Sequence, residues 1–290
     1  MDMFAEYKHT LRRLRGRILG WGIGLSLYSV LMVAIYPDIQ RIDMSVMLEY
    51  YPEEMLAFFG DALETFNTPS GYMETYFFNY MPVILGIFVV GACAGLLTND
   101  EENGVLDLLM AHPVSRSSLF WGRVFGFATA LAIILAAAYL SWSIPAGGMG
   151  MELTLLEFLR PYLPLFAALL LFGFFALLLS MVLPASRVAG MVVGGLLVAN
   201  YLSVGLANLN DDLANIVKYT PLHFYQGGKA VEGIDWAWFA GLLGAALVMA
   251  LLAWWRFERR DIRVGGEGGW KILGFERLRR RRKIEADAGT

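Results

Sequence analysis

The chain has 290 residues, 57% hydrophobic and 17% charged, with a formal net charge of −3. A mean hydropathy of +0.54 and an apolar share above the roughly 45–50% of soluble domains exclude an ordinary water-soluble fold. The single cysteine, Cys93, excludes an internal disulfide and a cysteine metal cluster.

The charges are unevenly spread. Six windows, residues 18–36, 77–98, 120–142, 162–183, 189–209 and 236–255, hold no Asp, Glu, Lys or Arg apart from Arg123. Each is close to the ~20 residues that cross a hydrocarbon core as a helix, whereas a soluble helix shows a polar face. The expected fold is an all-α polytopic membrane protein with six transmembrane helices. The first window is long and lacks a small-x-small site after it, so it reads as a retained helix and not a cleaved leader. With six spans the two termini share a side. That side carries 19 Lys and Arg against 4 on the other, which predicts cytoplasmic termini.

In chain order, residues 2–17 come first. Phe4, Tyr7, Leu11 and Leu14 recur at helical spacing between Lys8, Arg12, Arg13, Arg15 and Arg17, a pattern suited to the inner membrane surface. The first outer loop contains "PEEMLAFFGDALETF" (residues 52–66). Its proline stands at a first helical position and its apolar stripe predicts a short helix on the outer face. Residues 210–235 are too sparsely apolar to span. They predict a re-entrant or interfacial segment that "TPLHFYQGG" then breaks. Residues 1–264 read as one transmembrane domain and 265–290 as a basic cytoplasmic tail. The tail's "ERLRRRRK" reads as attraction to anionic lipid, not as a nucleic-acid patch.

Much chemistry is absent. No G-x-x-x-x-G-K-[ST] occurs, so the chain lacks a P-loop for ATP phosphates. No H-E-x-x-H or G-x-S-x-G occurs either, and His9, His112 and His223 are scattered. No catalytic or metal-binding residues are predicted. The windows also lack mid-membrane ionisable groups of the kind that proton relays keep. Their uncharged polar residues, Asn79, Asn200, Ser203 and Asn208, are candidates for a substrate pathway or for hydrogen bonds between helices. Asn200, Ser203 and Asn208 share one face of the fifth window at 100° per residue.

The second connector, "NDEENGVLDLLMAHPVSR" (residues 99–116), is short, acidic and Leu-rich. Asn99 can cap a helix that begins at Asp100, with Glu102 reaching back; alternatively Gly104 closes the preceding helix. Pro113 ends the apolar turns, and Ser115 suits the N-cap of the next helix. A soluble loop has no use for these leucines. A partner's groove or the membrane surface would bury them.

This stretch resembles the loop after the second helix of ABC-2-type exporter membrane subunits. Asp100, Glu102, Gly104, Leu106, Leu109, Pro113, Ser115 and Arg116 match that pattern. Asp100 stands where Glu is usual, Val105 where Thr is usual, and Arg123 where Lys is common. "YTPLHFY" (residues 219–225) and "FERRDI" (residues 257–262) are fainter echoes. The resemblance implies a noncatalytic permease subunit in a prokaryotic plasma membrane, paired with a second permease subunit, identical or different. A separate ATPase would bind the ATP and Mg, so no cofactor is expected in this chain. The connector is similar to a coupling helix, with Asp100, Glu101, Glu102, Gly104, Leu106, Leu109, Pro113, Ser115 and Arg116 contacting the ATPase. The basic segment before Ile18 would be an elbow helix on the membrane surface. The second and fifth spans would line the substrate path, and the low intramembrane charge points to an amphipathic or apolar cargo. The alternatives are an ATP-independent secondary carrier or channel, and a membrane assembly factor without transport.

Overall fold

The computed structural model describes residues 3–41, 52, 68–102, 115–183, 185–207 and 211–260. Among them there is no strand, and six helices are long and apolar enough to cross a membrane. These are α1 (Met3–Ile39), α2 (Pro69–Ala94), α3 (Arg116–Met149), α4 (Leu155–Val182), α5 (Ser186–Leu206) and α6 (Trp236–Arg259). Each contains most of one charge-free window. The predicted outer-loop helix over residues 52–66 and the basic tail lie outside the described residues.

The burial of each helix follows its place in the bundle. In α4, 72% of the most apolar window is buried, against 22% in α1, α5 and α6. Helix α4 is thus the central post, packed by α2, α3, α5 and α6. The exposed apolar side chains of the outer helices, such as Leu27, Met191 and Leu247, are in keeping with a hydrocarbon solvent, which is as apolar as they are.

Helices α1 and α3 run parallel in close contact. The sequence leads one to expect a surface-lying elbow, then a turn near Ile18. Instead, Met3–Ile39 is one unbroken helix. Its buried stripe is Glu6, Thr10, Leu14, Gly22, Leu25, Ser29 and Val33, and Phe4 is exposed. The cause lies on α3. A Cβ built on Gly122 would sit 2.7 Å from Glu6 Cβ, and one on Gly126 would sit 2.8 Å from Thr10 Cβ. Two glycines one turn apart bring the backbones together and draw a polar stripe of α1 onto α3. Of the apolar pattern Phe4–Tyr7–Leu11–Leu14, Leu14 joins the packed face and Leu11 lies beside it, while Phe4 is exposed.

Helix α2 departs from regular geometry at both ends. Thr68 caps its start, its Oγ1 accepting from Gly71 N at 3.1 Å, and Pro69 follows. Residues Glu74–Phe78 form a π-turn, after which Met81–Ala94 is regular. The helix stops at Gly95, short of the predicted Thr98. The Asn99 side chain folds back over Gly95, where any Cβ would collide with it. A separate turn, Thr98–Glu102, then begins the connector.

The end of the bundle opposite Met3 and Arg259 is aromatic. The rings of Tyr36 and Tyr72 stand 4.9 Å apart, edge to face. The fully buried Trp142 packs edge-on to Tyr72 and Phe77. Such pairs contribute beyond their buried area.

The α1–α3 contact is open to a direct test. Gly126→Leu should lower stability by about 1–3 kcal/mol, the usual cost of overpacking. Gly24→Leu, where a Cβ meets nothing within 4 Å, should be silent. Thermal unfolding of the detergent-purified chain reads both.

Candidate functional site

The start of the second connector, the beginning of α1, the beginning of α3 and the end of α6 converge at one end of the bundle. At their centre is Arg123, on the first turns of α3 and only 2% exposed. A guanidinium does not deprotonate and cannot be left buried without partners. Its partners come from three elements. Nη2 lies 2.7 Å from Asp100 Oδ2, and Nε lies 3.7 Å from Glu6 Oε2. Nη1 donates to the Leu96 carbonyl at 2.9 Å. Arg13 completes the group from α1, its Nη1 donating to both carboxylate oxygens of Asp100 at 2.9 and 3.1 Å. Two carboxylates thus face two guanidiniums, and Asp100 is shared between the arginines.

A second clamp holds the next connector residue and the connector's far end. Arg260 Nη2 donates to Glu101 Oε2, and its Nη1 donates to the Met181 carbonyl of α4 at 3.2 Å. Arg116, at the first position of α3, donates to the Glu258 and Arg260 carbonyls at 3.2 and 2.7 Å. A cation there is favourable twice, satisfying carbonyls that a helix end leaves open and meeting the negative end of the α6 dipole. Ser117 bonds Glu258, and Trp254 Nε1 donates to Ser117 Oγ at 3.0 Å. Ser115 caps α3, its Oγ accepting from Ser118 N at 3.1 Å.

The expected coupling residues therefore divide. Asp100 and Glu101 are buried in ion pairs, and Ser115 and Arg116 shape the α3 start. Glu102 closes the short helix, but its side chain and all of Gly104, Leu106, Leu109 and Pro113 lie outside the described residues. Sequence reasoning missed Arg123, Glu6, Arg13 and Arg260 as members of this site. The available signal was Arg123 itself, the only charge inside six apolar windows.

The described pathway candidates lie on α2 and α5 and have separate hydrogen-bond partners. Asn200 is buried on α5, and its Oδ1 accepts from Leu222 N at 3.1 Å. It holds the short 3₁₀ turn Pro221–Phe224 against the fifth helix, a structural role. Ser203 Oγ donates to its own helix at the Ala199 carbonyl, 2.8 Å away. Asn79 is half-buried at the π-turn exit, and Asn208 lies outside the described residues. Among the described residues no hydrogen bond joins Asn79, Asn200 and Ser203 to one another.

The segment before α6 packs onto the bundle. It consists of a short helix, Asp211–Val217, and two 3₁₀ turns, Pro221–Phe224 and Gly227–Val231. Tyr225 donates to the Phe78 carbonyl at 2.9 Å. Burial holds its phenol well above the usual tyrosine pKa, and the Glu74 carboxylate adds to the rise. Gly228 N donates to that same carboxylate. Neighbouring Gly227 has φ +56 and no room for a Cβ beside Glu74, so both torsion and space demand glycine.

The sequence model of a family described as ABC-2 family transporter protein matches residues 7–262. No curated protein matches the chain.

Arg123→Gln should cost about 3–5 kcal/mol, because it leaves buried Glu6 without its cation and Asp100 with Arg13 alone. Adding Asp100→Asn should cost less than the two single losses summed, with a coupling of about 0.5–3 kcal/mol. A double-mutant cycle of unfolding in detergent measures both. Strict additivity would show that the pair is not coupled.

Proposed function

The chain belongs to the ABC-2 transporter family, a multi-pass membrane component of transport, and from that membership we propose that it is the permease subunit of an exporter driven by a separate ATPase. It carries no P-loop of its own, so the energy must come from a partner that binds ATP and Mg. Two permease subunits, identical or different, would form the substrate path at their shared interface. The charged end of the bundle would face the cytoplasm of a prokaryotic cell, with both termini on that side.

The observation that carries this reading is the double clamp on the connector. One end is held through Asp100 by Arg13 of α1 and Arg123 of α3, and through Glu101 by Arg260 beyond α6. At the other end, Arg116 grips the last carbonyls of α6. A push on the leucine-rich stretch between them would reach α1, α3 and α6 through charged contacts and not through a slack loop. The Leu106 and Leu109 side chains supply the apolar area that a groove on an ATPase would bury.

Two variants separate docking from transmission. Leu106→Asp with Leu109→Asp should remove a co-expressed ATPase from the purified complex. Glu101→Gln should leave the ATPase bound and lower ATP-driven transport by about fivefold or more, the low end of ordinary coupling energies. If no ATPase co-purifies with the wild-type chain, or if transport in vesicles runs on a proton gradient without ATP, the reading fails in favour of a secondary carrier.

A further inference from the structure

Beside the Arg123 network lies a cavity of about 80 Å³ that the coupling contacts leave unused. One wall is the first half of α1, where His9, Arg13 and Arg17 stand at successive four-residue steps on one face. The other wall is the end of α2 at Gly95 and Asn99, with Arg123 of α3 completing the lining. Among the described residues no carboxylate lines the space.

The charge balance around the cavity is uneven. Asp100 and Glu6 offset Arg13 and Arg123. His9 and Arg17 have no ion-pair partner among the described residues. Arg13 holds both oxygens of Asp100 through Nη1 alone, so its Nε and Nη2 remain as donors. The space is several times the ~10–15 Å³ that a single water requires. Guanidinium groups present planar pairs of N–H donors that match phosphate oxygens better than an ammonium does. Along α1 beyond Arg17, Leu19, Ile23 and Leu27 are exposed and would lie beside acyl chains.

We propose that this cavity binds a phosphate group, carried by an anionic phospholipid or present as free phosphate, with Arg17, Arg13 and His9 as its donors. Basic pockets between helices at the inner membrane surface are suited to lipid headgroups. A phosphate held here would share Arg13, which also pairs with Asp100, and so would meet the clamp at the start of the connector through that arginine. Binding is independent of ATPase coupling, and the test needs no ATPase.

The full-length chain is reconstituted in nanodiscs of phosphatidylcholine alone or mixed with phosphatidylglycerol. Native mass spectrometry counts the phosphatidylglycerol kept after release into detergent. Thermal unfolding in the phosphatidylcholine discs is then compared with inorganic phosphate and with chloride at equal ionic strength. Arg17→Gln spares every ion pair of the Arg123 network and should reduce the bound species roughly tenfold, the scale of one charge-assisted hydrogen bond. Arg15→Gln removes the same charge from the opposite face of α1 and should change nothing. Loss of retained phosphatidylglycerol in Arg17→Gln alone identifies a lipid headgroup. A phosphate-dependent rise in melting temperature that Arg17→Gln abolishes identifies free phosphate. Equal losses in both variants, or no binding by the wild-type chain in either arm, overturn the site.

Discussion

The arrangement of the charged end depends on a guanidinium that has been taken out of water. Arg123 cannot shed its charge, and an isolated ion in a low-dielectric interior costs several kcal/mol even after relaxation. The protein meets that cost with partners from three places at once: Glu6 on α1, the Leu96 carbonyl after α2, and Asp100 on the connector. Each partner is thereby fixed in depth and register. The beginning of the connector, acidic as it is, is consequently part of the bundle.

The two ends of the bundle are held by different physics. The aromatic end relies on ring edges, a tryptophan with no exposed surface, and the Glu74 carboxylate set against Gly227 and Gly228. Such contacts are short-ranged and depend on close fit. The charged end relies on shared ion pairs, in which Asp100 serves two arginines and Arg260 serves both a side chain and a carbonyl. Exchange of one oxygen for another alters such a network without opening a cavity. A bundle tight at one end and exchangeable at the other suits a subunit that must take up a movement at one face.

Much of the fold was legible because a hydrocarbon solvent imposes a simple rule. Windows without charge become spans, and six windows correspond to six helices. The broken pattern around Pro221, Gly227 and Gly228 likewise announced a non-spanning segment. The helix limits were less legible. The stop at Gly95 depends on the Asn99 side chain folding over it, a contact that no hydropathy window contains. The packed face of α1 was not legible, for a related reason. Its apolar residues can face lipid as readily as protein, so the choice fell to Gly122 and Gly126 on a helix more than a hundred residues away. Asn200 was visible as a polar residue in a span, but the backbone N–H that it satisfies belongs to Leu222, beyond the end of its own helix.

The acidic residues of the connector also bear on orientation. A segment with four acids between Asp100 and Asp107 appears out of place on the side that the lysines and arginines assign to the cytoplasm. Asp100 and Glu101 are not free charges, however, since each is matched by an arginine within the bundle. Those matched arginines are correspondingly unavailable to the membrane surface. If the termini face the cytoplasm, as proposed, the orienting charge falls to exposed cations of α1 outside the network, among them Lys8, Arg12, Arg15 and Arg17, and to those of the tail sequence. Paired arginines shape the site, while the exposed cations of α1 stand outside it. A count of total charge merges the two roles, which is why a chain with a net charge of −3 can still present a strongly basic face.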